Sequence, residues 1–354
     1  MAYTTIDDPS EYFQTAIYSG NSSTLAVTSQ GNATIAPDWV WVKRRNSSSL
    51  YALVDSSRGR AKSLGSESTD AEYNTSATDK DLISFDTNGF TVGQPNQRNM
   101  NGNGDTFVAW QWKANGGTTA SNTDGTITST VQANTDAGFN IVTYTGTGSN
   151  ATVGHGLGGT PDFITTKSRN VDARGWTTWT NALAGNQALD LNGTDATYTS
   201  TTSWNSTVPN SSVISLGTRL GTNENNTTYV AYCFKNIQGY SKIGKYIGNG
   251  NANGTFVHTG FKPAWVMLKR TDGADDWGIH DAKRSPFNTT IAHLSPNKQD
   301  AEGDYTSTSF DFLSNGFKCR SSNAFLNGSG SSYIYLAFAE HPFVSSEGVP
   351  VTAK

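Results

Sequence analysis

Three short stretches of the chain alternate large apolar with smaller residues. They are Phe107-Val108-Ala109-Trp110-Gln111-Trp112, Tyr229-Val230-Ala231-Tyr232-Cys233-Phe234 and Tyr333-Ile334-Tyr335-Leu336-Ala337-Phe338. A period of two is the mark of a β-strand with one apolar face. That face would hold Val108, Trp110 and Trp112 in the first stretch, Val230, Tyr232 and Phe234 in the second, and Ile334, Leu336 and Phe338 in the third. The alternation predicts half-buried strands, with the rings packed inside a small module and the other face smaller or mixed. Burying such side chains contributes roughly 1.5–3 kcal/mol each before chain entropy is counted.

These strands close three diverged copies of one unit of about 95 residues, for instance Tyr18 to Trp112. Each copy opens with Tyr-x-Gly: Tyr18-Ser19-Gly20, Tyr144-Thr145-Gly146 and Tyr246-Ile247-Gly248. A proline follows 17 to 19 residues later, then an aromatic and a lysine at fixed spacing. These stretches run from Pro37 through Trp39 to Lys43, from Pro161 through Phe163 to Lys167, and from Pro263 through Trp265 to Lys269. Copies one and three share a hairpin signal, Asn88-Gly89 and Asn315-Gly316, read as a type I′ turn. Copy two lacks it. The offset between copies one and three is 227 residues at the hairpin and 226 at the tryptophans, so both keep one internal layout. Solenoid repeats are shorter and cannot bury a core alone. A unit of this size predicts an all-β chain of three tandem β-sandwich (jelly-roll or lectin-like) repeats.

The expected boundaries are an N-terminal arm with repeat one over 1–114, a linker or arm over 115–137, repeat two over 138–238, and repeat three with a C-terminal tail over 239–354. Ala114 to Asn122 has the composition of a flexible linker, and Gly125 to Val131 alternates like an extra strand or an arm. The short joint Asn236–Lys242 predicts that repeats two and three form one rigid block. The opening dozen residues and the tail after Pro342 are candidates for docking on another subunit.

Composition sharpens the class. Only 15% of the 354 residues are charged, and Ser, Thr, Asn and Gly take their place, as they do in turns and solvated strand faces. With a formal charge of −4 and a pI near 5.7, nucleic acid is not an expected partner. No stretch reaches the roughly 20 apolar residues of a membrane helix. The opening residues lack the basic and apolar regions of a signal peptide. Cys233 and Cys319 supply no disulfide framework, and the five histidines are scattered without metal-ligand spacing, so no metal or cofactor is expected.

Candidate chemistry is sparse. Gly154-His155-Gly156-Leu157-Gly158-Gly159 has the letters of a dinucleotide loop, but a strand follows it where a helix is needed, which predicts a hairpin loop. Asp79-Lys80-Asp81 and Asp275-Asp276-Trp277 pair acids at loop positions. The second cluster is the one candidate ligand site: an indole to stack on a sugar ring, with Asp275 and Asp276 accepting from its hydroxyls. No catalytic residue is assigned. Trp176, Trp179, Trp204 and Trp277 fall outside the repeated strands and are the better candidates for exposed contacts. Lys43-Arg44-Arg45 and Lys269-Arg270 cap corresponding strands, which points to a structural or inter-subunit role, pairing for instance with Asp55 or Asp281. Both cysteines read as small buried residues.

Four stretches carry a resemblance. Phe139 to Gly148, Gly239 to Tyr246, Asp311 to Lys318 and Tyr333 to Glu340, together with the Gly348-Val349-Pro350 ending, look like a repeat family of tailed, notably marine, bacteriophages. The resemblance implies a non-enzymatic virion surface protein, assembled in the host cytoplasm. It would be a tail fibre or tail-associated adhesin, or else a capsid decoration or head fibre protein. Its expected partners are other virion proteins, itself as a homotrimer, and a host surface glycan or outer-membrane protein. A polysaccharide depolymerase is the reading from another class, and would need a convergent acid pair.

Overall fold

The structure, a computed structural model, describes residues 2–75 and 77–350; Met1 and the last four residues of the predicted tail lie outside the described residues. It is all-β and β-sandwich-like, with antiparallel sheets throughout and no helix longer than four residues among the described ones.

Three large sheets share one strand order. In each, an opening strand (Phe13–Ser19, Phe139–Thr145, Ser241–Ile247) lies beside a closing strand (Thr106–Trp112, Thr228–Phe234, Ser332–Pro342). The closing strand lies beside the lysine strand (Trp39–Arg44, Phe163–Ser168, Phe261–Arg270), and a fourth strand follows (Ala52–Asp55, Thr177–Thr180, Trp277–Asp281). The second sheet is extended beyond its opening strand by Ser129–Asn134 and Ala120–Asn122. A smaller sheet accompanies each large one: Leu25–Val27 with the hairpin Leu82–Asp86 and Gly89–Val92, Ala151–Gly154 with Val213–Leu216, and Phe256–His258 with Phe310–Leu313 and Gly316–Cys319. Each large sheet and its companion form one strand set.

The closing strands are not half-buried. Both faces are covered, and the rings expected inside each module lie between the sets instead. Phe107 and Ala109 face the first set's small sheet with Val27, Phe90 and Val92. Trp110 and Trp112 face the other way, into a cluster shared with Phe139, Phe163, Tyr232, Phe234, Trp265, Leu336 and Phe338. Trp39 stacks on Tyr232 of the second set at 4.2 Å and on Trp112 at 4.5 Å. Trp112 meets Trp265 of the third set edge-on at 5.8 Å, and Phe234 meets Phe338 at 5.4 Å. Alternation reports which side chains share a face. It does not report whether the second face is solvated or covered by another sheet.

The hairpins at Asn88-Gly89 and Asn315-Gly316 form, but not as type I′ turns. Gly89 and Gly316 begin the return strands, and neither Asn has the positive φ such a turn requires. Glycine is needed there for close approach: a Cβ would lie 2.0 Å from the Val27 carbonyl oxygen at Gly89 and 2.1 Å from that of Val257 at Gly316.

The stretch with linker composition is pinned. Asp38 accepts from the amides of Ala114 (2.8 Å), Gly116 (2.9 Å) and Gly117 (2.7 Å). The opening residues dock on the chain's own third set, where the Tyr3 hydroxyl donates to the Gly260 carbonyl at 2.6 Å and the Tyr3 ring meets Phe343 edge-on at 6.4 Å.

Candidate functional site

The repeated lysines sit at the joints between sets. Lys43, Lys167 and Lys269 are all 0% exposed. Each ammonium donates to backbone carbonyls, at least one of them in a different set. Lys43 Nζ reaches Ser49 O (2.7 Å) and Gln299 O of the third set (2.9 Å). Lys167 Nζ reaches Arg174 O (2.7 Å) and, in the first set, Asp70 O (2.7 Å) and Thr69 O (3.1 Å). Lys269 Nζ reaches Arg270 O (2.6 Å) and Thr194 O of the second set (3.2 Å). The ring at or just before the start of each fourth strand repeats the pattern. Tyr51 Oη donates to Ser295 O (3.0 Å), Trp176 Nε1 to Gly65 O (2.7 Å) and Trp277 Nε1 to Asp190 O (3.1 Å). First holds third, second holds first, and third holds second, so the joints close in a ring.

Burial pushes all three lysines down to about 8. From about pH 8 toward the ordinary lysine range near 10.4, the unfolded chain therefore binds more protons here than the folded one, and stability rises with pH. Above about pH 9 the buried Cys319 thiol, pushed up to about 12, and the buried phenols act in the opposite direction. The expected result is a higher urea midpoint at pH 9 than at pH 7. Lys167→Met should flatten that rise and cost about 1.5–3 kcal/mol at pH 7, the usual worth of hydrogen bonds from a charged donor, by removing the ammonium from the Asp70 and Arg174 carbonyls; Thr69 O keeps the Arg174 amide.

Two joints also carry buried ion clusters. Arg58 donates to Asp55 (2.5 Å), Glu72 (2.9 Å) and Leu53 O (2.9 Å), while Tyr232 of the second set donates to Asp55 at 2.7 Å. Arg284 repeats this with Asp281 (2.5 Å), Glu302 (2.9 Å) and Ile279 O (3.0 Å), and Trp110 of the first set donates to Asp281 at 3.0 Å. Burial disfavours the Arg58 cation, but Asp55, Tyr232 and Glu72 more than offset it and its pKa is raised. Arg169 joins Glu72 at 3.1 Å, and Arg45 grips Glu302 with two nitrogens at 3.0 and 2.7 Å. The basic strand ends thus have an inter-set role, but Asp55 and Asp281 are held by Arg58 and Arg284 rather than by Lys43 to Arg45 or Lys269-Arg270.

Asp275, Asp276 and Trp277 are brought together without forming a sugar platform. Trp277 is 1% exposed and locked into the joint, so no ring face is open to a ligand. Asp276 accepts from Asn297 (2.8 Å) and Lys298 (2.5 Å). Asp275 faces Arg270 at 3.9 Å, and burial raises its pKa. Trp176, Trp179 and Trp204 are likewise buried rather than exposed. Falling outside the repeated motifs did not distinguish surface from joint. The glycine-rich motif is a loop between Ala151–Gly154 and Phe163–Ser168, with His155 buried against Asn210 O at 3.1 Å. Two of the scattered histidines meet: His293 Nδ1 lies 3.3 Å from His280 Nε2, and burial lowers the basicity of both. Among the described residues, no group of three or more His, Cys, Asp or Glu side chains could hold a metal ion.

Each set also holds a buried asparagine that none of the repeated motifs contains. Asn101, Asn223 and Asn327 are 0% exposed. Their amides donate to Gly93 O (2.8 Å), Gly217 O (2.7 Å) and Ser321 O (2.8 Å), and their oxygens accept from Asn21, Thr147 and Asn249 amides. The signal was present: each lies six residues before the ring that opens the closing strand, Phe107, Tyr229 or Tyr333.

Strand order, shared core and joints define an all-β, β-sandwich-like protein whose buried polar groups tie its sheets to one another. The chain belongs to a family described as a domain of unknown function, DUF7483, whose model matches residues 8–342. No curated protein matches it.

Proposed function

We propose that the chain is a non-enzymatic structural protein on the surface of a tailed-phage virion. In this reading it is a tail fibre or tail-associated adhesin, built of three tandem β-sandwich repeats, that contacts a host glycan or outer-membrane protein. One observation carries the structural reading: the lysines, Asp–Arg pairs, indole N–H groups and asparagines that could do chemistry are turned inward as fasteners. The resemblance of Phe139 to Gly148 and Tyr333 to Glu340 to phage repeats carries the setting. Immunogold labelling of the virions tests it. Gold on the tail is the expected result, and a chain absent from the particle would end the proposal.

A second reading, a head fibre or capsid decoration protein, is favoured by the lack of a helical stalk among the described residues; gold on heads would select it. The apolar faces that a three-chain fibre buries between subunits lie within one chain here. The homotrimer expected of a fibre is tested by the mass of the free protein, and a mass near 37.8 kDa with no higher assembly in the particle would count heavily against the fibre reading. Reducing sugar released from host capsule would instead select the depolymerase.

A further inference from the structure

The joint between the second and third sets departs from the other two. At those joints the pairs Glu72–Arg169 and Glu302–Arg45 each join an amide to a carbonyl, at 2.7 and 2.8 Å. The same contact at the third joint is made by Thr197 and Thr271, at 2.9 Å. Thr180 pairs with Phe163 where Asp55 pairs with Trp39 and Asp281 with Trp265, and three residues on Leu183 replaces the arginine. Where the other joints hold an ion cluster, this one holds a cleft of about 500 Å3 lined by Leu183, Gln187, Thr197, Lys245, Ile247 and Thr271. The Thr197 hydroxyl oxygen is buried with no partner among the described residues.

One wall of the cleft is the free edge of the third opening strand. The corresponding backbone position is occupied in both other sets. At Ile17, the Gln30 amide accepts from the N–H (3.2 Å) and donates to the carbonyl (2.8 Å). At Thr143, Thr130 of the added strand pairs with it. At Lys245 no partner for the outward N–H and carbonyl is found among the described residues. Neighbouring groups are already taken: Ile243 N–H by Asn236 at 2.6 Å, and Ile247 O by Thr255 at 2.8 Å. The opening runs only from Lys245 to the Ile247 N–H, which is short for a β-strand to add, and lysine on an edge discourages strand addition as well. It suits a compact pair of adjacent donor and acceptor groups.

We propose that this cleft binds a pyranose through two vicinal hydroxyls, one accepting from Lys245 N–H and its neighbour donating to Lys245 O. Thr197 and Gln187 meet further hydroxyls, and Ile247, 54% exposed, covers an apolar ring face. The inference rests on the glycan-contact part of the proposed function.

The test is saturation-transfer difference NMR on the full chain, with the methyl glycosides of glucose, galactose and mannose as probes. At least one should receive saturation. Thr180→Asp with Leu183→Arg, which places the Asp–Arg pair of the other two joints in the cleft, should remove the signal while circular dichroism and the melting temperature show the fold intact. Thr197→Val should weaken it several-fold with an unchanged melting temperature. No transfer to any of the three, or transfer that persists in the double variant, overturns the site. Preferential binding of a peptide copying Thr128 to Thr135 overturns it in favour of a strand partner. Immunogold location does not depend on sugar binding, so this site and the virion reading fail separately.

Discussion

Arg58→Leu is expected to destabilise the protein by about 3–5 kcal/mol, the usual result of stranding one member of a buried ion pair. The Arg58 and Asp55 side chains are both fully buried, so solvent cannot replace the lost partner. Asp55 would keep the Arg58 backbone amide (2.8 Å) and the Tyr232 hydroxyl, but no charge to balance its own. Asp55→Thr with Arg58→Leu copies Thr180 and Leu183 of the cleft joint. Removing both charges together should cost less than the two single changes summed, with a coupling of about 1–3 kcal/mol. Urea unfolding of the four proteins gives the cycle. Additive effects would mean that the pair is not the fastener at this joint.

Trp39→Ala should cost about 3–5 kcal/mol, the range for deleting a large buried aromatic. Trp39 touches Trp112 of its own set and Tyr232, Phe139 and Phe234 of the second. A cavity there loosens two sets together, so the whole transition should move rather than a single part of it. Trp39→Phe is the control. The indole N–H has no acceptor among the described residues, so phenylalanine removes an unpaired donor along with some volume. Its expected loss is below about 1.5 kcal/mol, as for near-isosteric core changes.

The all-β class was legible, because the closing strands alternate and Ser, Thr, Asn and Gly displace helix formers. So were the fixed positions of Lys43, Lys167 and Lys269, although not their purpose. Both faces of Thr106–Trp112 and Thr228–Phe234 are covered, one within the set and one between sets, and a period of two looks the same in either case. The candidate at Asp275, Asp276 and Trp277 failed on the same ambiguity. An indole beside two acids matches a sugar platform as well as it matches a joint ring bonded to Asp190. The cleft joint was invisible in the sequence because its mark is a loss: Thr180, Leu183, Thr197 and Thr271 stand where aspartate, arginine, glutamate and arginine are found in at least one other set. Only aligned strand register reveals those correspondences.

Differential scanning calorimetry of the intact chain tests the central claim, that three corresponding strand sets share one aromatic core and unfold together. One transition is predicted, with a van't Hoff enthalpy equal to the calorimetric enthalpy. Two or three separable transitions, or a van't Hoff enthalpy near a third of the calorimetric value, would contradict it.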